Sequence, residues 1–391
     1  MISLTQDQNK ALQKLFEWVK APVKQHVSLG GYAGTGKTTL LGVLRQKLYD
    51  NYPKLRVSFC AFTGKASQVL QQSLSSQKAL FKNDKVGTIH SLIYEVKVDE
   101  KGQMLGWVRR THVPFDLIIV DEASMVSKAL WQDLLSFHLP IIAVGDHGQL
   151  SPISDNFSLM KTPDITLEQI HRQAAGSPII QLSQHVRKTG KIPVGVYGKK
   201  VVKHHRTDTD IGNIMQTLLE SWNEDSLFLV GINTMRIRLN QQIRAQRGYY
   251  SLHPQEGDRV ICLKNNWQSG IYNGMLGVIN SICPEYDSSK NPHWYLAEIA
   301  MDDGLVYSGK ISTYQFDSPS TLTEVKGLGY KDIGDLFDFG YAITVHKAQG
   351  SQARRVVVFE QRNRHMGDEE WKRWLYTAVT RAEEELVIIG D

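Results

Sequence analysis

Cysteine is scarce in this chain of 391 residues: Cys60, Cys262 and Cys283 are the three, and no two of them form a CxxC pair. That spacing excludes a disulfide framework and a zinc signature, and it suits a reducing cytosol. No run of ~18 apolar residues occurs, which argues against a membrane-spanning helix. The opening MISLTQDQNKAL lacks a basic flank followed by an apolar stretch, so the expectation is a protein neither exported nor membrane-bound. Low-complexity tracts and repeats of fixed period are missing as well. So is a strong excess of one charge: 45 Lys and Arg against 40 Asp and Glu leave a formal +5, which permits a polyanionic partner without demanding one.

What is present is an ordinary globular composition, 41% hydrophobic and 22% charged, which places the chain among proteins that fold. Its length suggests two or three domains at the usual ~100–200 residues each. Leu12, Leu15, Phe16 and Val19 fall at the spacing of a helix with one buried face, with Thr5 as N-cap and Gln8 placed as in a capping box. HVSLGG, LRVSFCAFT, DLIIVDEAS and LPIIAVGDH then read as buried strands alternating with helices, the pattern of a parallel α/β sheet. EVKV and LGWV alternate around DEKG and predict a β-hairpin. A second α/β region starts at SLFLVGINTMRIRLNQQI and resumes at YAITVHKAQGSQARRVVVFE and ELVIIGD. Between them, residues 252–325 carry short strands with Gly and Asn-Gly turns, the composition of a small β-barrel.

One motif carries explicit chemistry. Gly31, Gly36, Lys37 and Thr38 match G-x-x-x-x-G-K-[ST] between an apolar strand and a helical stretch. In GGYAGTGKTTL the backbone of Gly31, Ala33, Gly34, Thr35, Gly36 and Thr39 can curl around a β-phosphate, while Lys37 reaches the β and γ oxygens. Thr38 can ligate magnesium, and the expected cofactors are ATP and Mg2+. LIIVDEAS ends a strand in Asp121, placed to hold magnesium through water, and Glu122, a general base for the attacking water. Read alone, a strand ending in Asp-Glu more often caps a helix. Gln149 in AVGDHGQL reaches either the γ-phosphate or its water, or the segment is simply a turn built by Gly145, Asp146 and Gly148.

The ordered set LTQDQ, GYAGTGKT, AFTGKAS, TIHSL, DEAS, GDHGQL, HRQ, AITVHKAQGS and YTAVTRA resembles the motifs of superfamily 1 helicases, and more narrowly the RecD/Dda-like branch of superfamily 1B, from about Leu4 to Arg381. The resemblance implies an α/β fold of two RecA-like P-loop NTPase domains, with a β-hairpin inserted in the first and a small SH3-like β-barrel in the second. The expected division is 1–170 for the first domain with its hairpin at about 93–113, 171–251 with 326–391 for the second, and 252–325 for the barrel.

The resemblance also implies site residues. Gln8 reads adenine, unless it is only the helix cap; Arg172 and Arg381 reach the γ-phosphate from the second domain; Gln349 and Gly350 connect the nucleotide cleft to a DNA track. Thr63, Lys65, His90, Ser91, Thr344, His346 and Lys347 match DNA-contacting positions. The hairpin occupies the interval of a strand-separating pin, with Met104 or Trp107 as its wedge or as ordinary packed residues. The implied partners are single-stranded DNA and duplex-junction DNA, and further single-stranded-DNA-binding or replication proteins. The implied setting is a monomer in the cytoplasm of a bacterium or a phage-infected host, acting in DNA replication, recombination or repair. A translocase that unwinds poorly and a nucleotide-gated binding switch are the competing expectations, and an RNA substrate stays open because no 2′-hydroxyl reader is visible.

Overall fold

The computed structural model describes residues 4–98, 104–150, 157–170, 176–266, 269–286, 292–322 and 333–391, without the side chains of 96, 98, 104–107, 292 and 293. In the first half, α1 (Gln6–Lys20) precedes β1 (His26–Gly31), α2 (Lys37–Asn51), β2 (Val57–Ala61), α3 (Gly64–Ser76), β3 (Lys85–Thr88) and α4 (Ile89–Ile93). β4 (Tyr94–Val98) and β5 (Met104–Arg109) pair antiparallel, and β6 (Leu117–Asp121), α5 (Lys128–Leu135), β7 (Ile141–Gly145) and β8 (Ile165–Leu167) follow.

A six-stranded parallel sheet in the order β3-β2-β6-β7-β1-β8 organises this half. Its strands alternate between two cores. Leu29, Phe59, Ile119 and Val144 pack with α1, α2 and α3, whereas Cys60, Ile118, Val120 and Ala143 pack with α4 and α5. Both faces are covered, which is why these strands read as continuous apolar runs. Short β3 and β8 flank the four strands that the hydrophobic pattern predicts.

The second half contains α6 (Pro178–Thr189), β9 (Gly195–Gly198), β10 (Val201–His205), α7 (Ile211–Glu220), β11 (Ser226–Val230) and α8 (Asn233–Gln246). Then come β12 (Arg259–Cys262), β13 (Leu276–Tyr286), β14 (Pro292–Met301), β15 (Val306–Ser312), β16 (Phe337–Phe339), β17 (Ala342–Thr344), β18 (Ala353–Phe359), α9 (Asp368–Val379) and β19 (Ala382–Gly390). A second six-stranded sheet has the order β17-β11-β18-β19-β10-β9 and is parallel except for edge strand β9. β12 to β16 form a separate antiparallel sheet, and β16 carries it beyond residue 325. Buried ion pairs fasten this sheet to α8: Arg244 grips Asp258 at 2.8 and 3.0 Å, and Arg236 meets Asp338 at 2.7 Å. Among the described residues, no helix is long and apolar enough to cross a membrane.

Candidate active site: a cleft between two parallel sheets

The first sheet delivers its polar residues to one edge. The loop after β1, Thr63 after β2, Asp121 at the end of β6 and Asp146 after β7 all follow the carboxyl ends of parallel strands, where open α/β sheets bind ligands. Between β1 and α2 the chain turns through Gly34 and Gly36 at φ 77° and 75°, a conformation costly for a residue with a Cβ. At Gly31 a Cβ would lie 2.7 Å from Thr35 Oγ1. The backbone is thereby free to present its amides at the start of α2. Lys37 folds back over the loop, donating to the carbonyls of Gly31 and Tyr32 at 2.9 and 3.2 Å.

Gln8 supports this loop from behind. It is fully buried, accepts from Thr5 N at 2.8 Å in a complete capping box, and donates through Nε2 to the carbonyl of Thr35 at 2.8 Å. The helix-cap role is thus formed, and the same side chain touches the phosphate loop.

Asp121 and Glu122 lie side by side at the edge of β6. Burial, and then the neighbouring Glu122 charge, push the Asp121 carboxyl up to about 6, with the Lys37 ammonium opposing. Glu122 has φ 52°, a left-handed conformation unusual outside glycine, and its Oε2 is buried without a partner. Two crowded, desolvated carboxylates beside a phosphate loop favour added positive charge, so the donor set fits a divalent cation: Thr38 and Asp121 would hold Mg2+, whose chemistry is to neutralise phosphate charge.

These residues line a cleft of about 390 Å³ that also includes Ala33, Gly34, Thr39, Asp146 and Gln149. Its far wall comes from segments that flank the second sheet: Gly350, between β17 and β18, and Thr380 and Arg381, between α9 and β19. The Arg381 guanidinium is held by the carbonyls of Thr377 and Ser351, both at 3.1 Å, and by Thr380 Oγ1 at 3.3 Å. Burial draws its ionisation down, against the fields of Glu122 and Asp146. Gly350, at φ 72°, packs where a Cβ would fall 2.7 Å from Met125 Sδ. Arg172 lies outside the described residues.

The residues matched to DNA contacts divide into two groups. Thr63 caps α3 through Ala66 N at 3.2 Å, and Lys65 Nζ donates to the carbonyl of Gln352 at 2.6 Å, so both sit against the segment from Gly350 to Gln352. Thr344 ends β17, and His346 and Lys347 lie half-buried in the turn after it, where burial and Arg236 bring the Lys347 ammonium down to about 8 and burial also lowers His346. His90 lies apart, 2% exposed and stacked on Tyr272 at 4.4 Å, with burial holding its imidazole down to about 4. Ser91 is exposed, its hydroxyl donating to the carbonyl of Thr88. Met104 and Trp107 belong to β5, but their side chains and the hairpin tip at 99–103 are outside the described residues.

Motif reading missed three participants. Tyr376 OH accepts from Ala33 N at 2.8 Å and donates to Asp146 at 2.7 Å; Arg187 of α6 lies 3.4 Å over the ring of Tyr32. The available signals were the Tyr inside YTAVTRA, read only through its neighbours, and the Asp inside GDHGQL, read only as part of a turn.

A phosphate loop, a strand-end carboxylate pair and an arginine brought from a second parallel sheet define a P-loop NTPase with a RecA-like core. Residues 3–204 match a family model described as an AAA domain, and residues 339–389 match a UvrD-like helicase C-terminal domain. The ATP-dependent RecD2 DNA helicase of Deinococcus radiodurans is 28% identical over 391 residues, which cover 93% of this chain and 47% of that protein. The RecBCD enzyme subunit RecD of Mycobacterium tuberculosis is 26% identical, covering 93% of this chain and 66% of that one. A crystal structure of Pif1 helicase from Bacteroides in complex with ADP-AlF3 and ssDNA superposes with TM-score 0.50 at 17% identity, covering 99% of this chain and 92% of that one. The chain belongs to the superfamily 1B helicase family of RecD/Pif1-like proteins. It spans about half to two thirds of the length of the first curated relatives it matches.

Proposed function

We propose that the chain is an ATP-driven DNA helicase that moves 5′ to 3′ along single-stranded DNA and separates duplex. The observation that carries this reading is one cleft lined by Lys37, Asp121, Glu122 and Gln149 from the first sheet and by Arg381 from the second. Glu122 takes a proton from water as its oxygen bonds to the γ-phosphorus, and the bond from that phosphorus to the β–γ bridging oxygen breaks. Lys37 and Arg381 neutralise the departing charge. Because Arg381 comes from the other sheet, hydrolysis depends on how the two sheets meet, and Arg172 is assigned the same role from its motif.

In this reading residues 1–170 and 171–251 with 326–391 are the two motor domains, and residues 93–113 are the pin. The insert from 252 is an SH3-like module, whose sheet we extend through Phe339. Thr63, Lys65, Ser91, Thr344, His346 and Lys347 track the DNA backbone, and His90 joins them when Tyr272 moves aside. The Pif1 neighbour's single-stranded DNA supports this choice of substrate. Steady-state ATP hydrolysis with and without single-stranded DNA, followed by unwinding of duplexes bearing a 5′ or a 3′ tail, tests the proposal. DNA-stimulated turnover abolished by Lys37→Ala, with unwinding from the 5′ tail alone, is expected. Turnover indifferent to DNA, or unwinding from the 3′ tail, refutes it.

A further inference from the structure

A directed chain of hydrogen bonds enters the cleft from the second sheet. Tyr376 of α9 is 1% exposed, and its hydroxyl accepts from Ala33 N at 2.8 Å while giving its proton to Asp146 Oδ2 at 2.7 Å. A phenol has one proton, and burial beside Asp146 keeps that proton in place far above the ordinary tyrosine range, so the direction is set. Asp146, itself 2% exposed, accepts from Gly148 N at 2.9 Å and from Gln149 Nε2 at 3.4 Å. A carboxylate only accepts, so it selects the NH2 end of the Gln149 amide. Gln149 Oε1 is left buried without a partner in a residue that lines the cleft. Two more bonds hold the same turn: Leu150 N donates to Thr377 Oγ1 at 3.0 Å, and Gln349 Nε2 donates to the Leu150 carbonyl at 2.5 Å.

We infer, on the reading of the cleft proposed above, that Tyr376 and Asp146 are positioning residues that turn the Gln149 carbonyl oxygen toward the attacking water instead of its NH2 toward the γ-phosphate. A carbonyl accepts a hydrogen bond from the water and so orients the water's lone pair at phosphorus, while Glu122 takes the proton; it has nothing to donate to a phosphoryl oxygen. Since Tyr376 lies on α9, the helix that precedes β19 of the second sheet, and also holds a phosphate-loop amide, water placement becomes conditional on contact between the two halves.

The test is ATP hydrolysis on saturating single-stranded DNA by the full chain, Tyr376→Phe, Asp146→Asn and the double variant, with kcat and KM resolved. Tyr376→Phe keeps the ring beside Tyr32 and removes only the hydroxyl. Asp146→Asn preserves volume but offers an NH2 to Gln149, and it carries the test alone if the first variant folds poorly. Each single change is expected to lower kcat about 10- to 100-fold with KM for ATP within about twofold, and the double variant to be no worse than the weaker single, as for residues acting as one unit. Unchanged kcat, a loss confined to KM, or losses that multiply in the double variant overturn the inference. Failure of the unaltered chain to hydrolyse ATP with DNA overturns the helicase reading itself, and that is seen before any variant is compared.

Discussion

Replacing Asp121 with Asn should make the ligand-free protein more stable while disabling it. In the folded chain this carboxyl ionises at about 6 rather than the ordinary 3.8, chiefly because it is buried and secondly because Glu122 is beside it. The folded state therefore binds the proton more tightly than the unfolded one. The resulting penalty is absent below the unfolded value, grows as pH rises from 3.8 to about 6, and is fully present above that. Converted at ~1.4 kcal/mol for each tenfold change in proton affinity, it reaches about 3 kcal/mol at pH 7.5 and roughly half that at pH 5. Asparagine carries no charge to desolvate, and its Oδ1 can still accept from Glu122 N, which now donates to Asp121 at 2.9 Å. Urea unfolding at the two pH values should give a stabilisation that shrinks by about half on acidification. ATP with Mg2+ should no longer add thermal stability. A variant less stable than the parent at pH 7.5, or a gain equal at both pH values, refutes the assignment of burial and crowding as the cause.

Glu122→Gln should still bind ATP and DNA but fail to turn over; full activity in a phosphate-release assay removes Glu122 as the base. Arg381→Ala should cost about 10³- to 10⁵-fold in kcat, as for other arginines that complete a phosphoryl-transfer site, and a loss confined to DNA affinity is the contrary result. Asp84→Ala should destabilise the chain by about 3–5 kcal/mol in urea, because it strands the fully buried Arg45 guanidinium. That guanidinium now bonds Asp84 at 2.8 and 2.9 Å. Tyr272→Ala should uncover His90 and raise its imidazole ionisation from about 4 toward 6.5, read by NMR titration; an unmoved value means the covering ring is not the cause.

Much of the first sheet was legible because its strands are buried on both faces and appear as unbroken apolar runs. β3 and β8 escaped notice: KVGT and ITL are too short and too mixed for periodicity to register. β10 was hidden by Lys203, which is 2% exposed and pairs with Glu360 at 2.5 Å, so a charged residue stands where the pattern calls for an apolar one. β16 lies past the stretch whose turns announced the insert, and its partner β12 is distant along the chain. Local composition carries no trace of such pairing.

The sequence by itself determined the phosphate loop, since glycines, a lysine and a hydroxyl at fixed spacing act within one turn of chain. It likewise placed Asp121 and Glu122 at a strand end, because an apolar run and its terminus are local features. Tertiary structure alone decided that Arg381 shares a cleft with Glu122, that Tyr376 links Ala33 to Asp146, and that Tyr272 covers His90. Those relations join residues far apart in the chain, and only the packing of the sheets, through side chains that neither periodicity nor motif spacing describes, brings them within hydrogen-bonding or stacking distance.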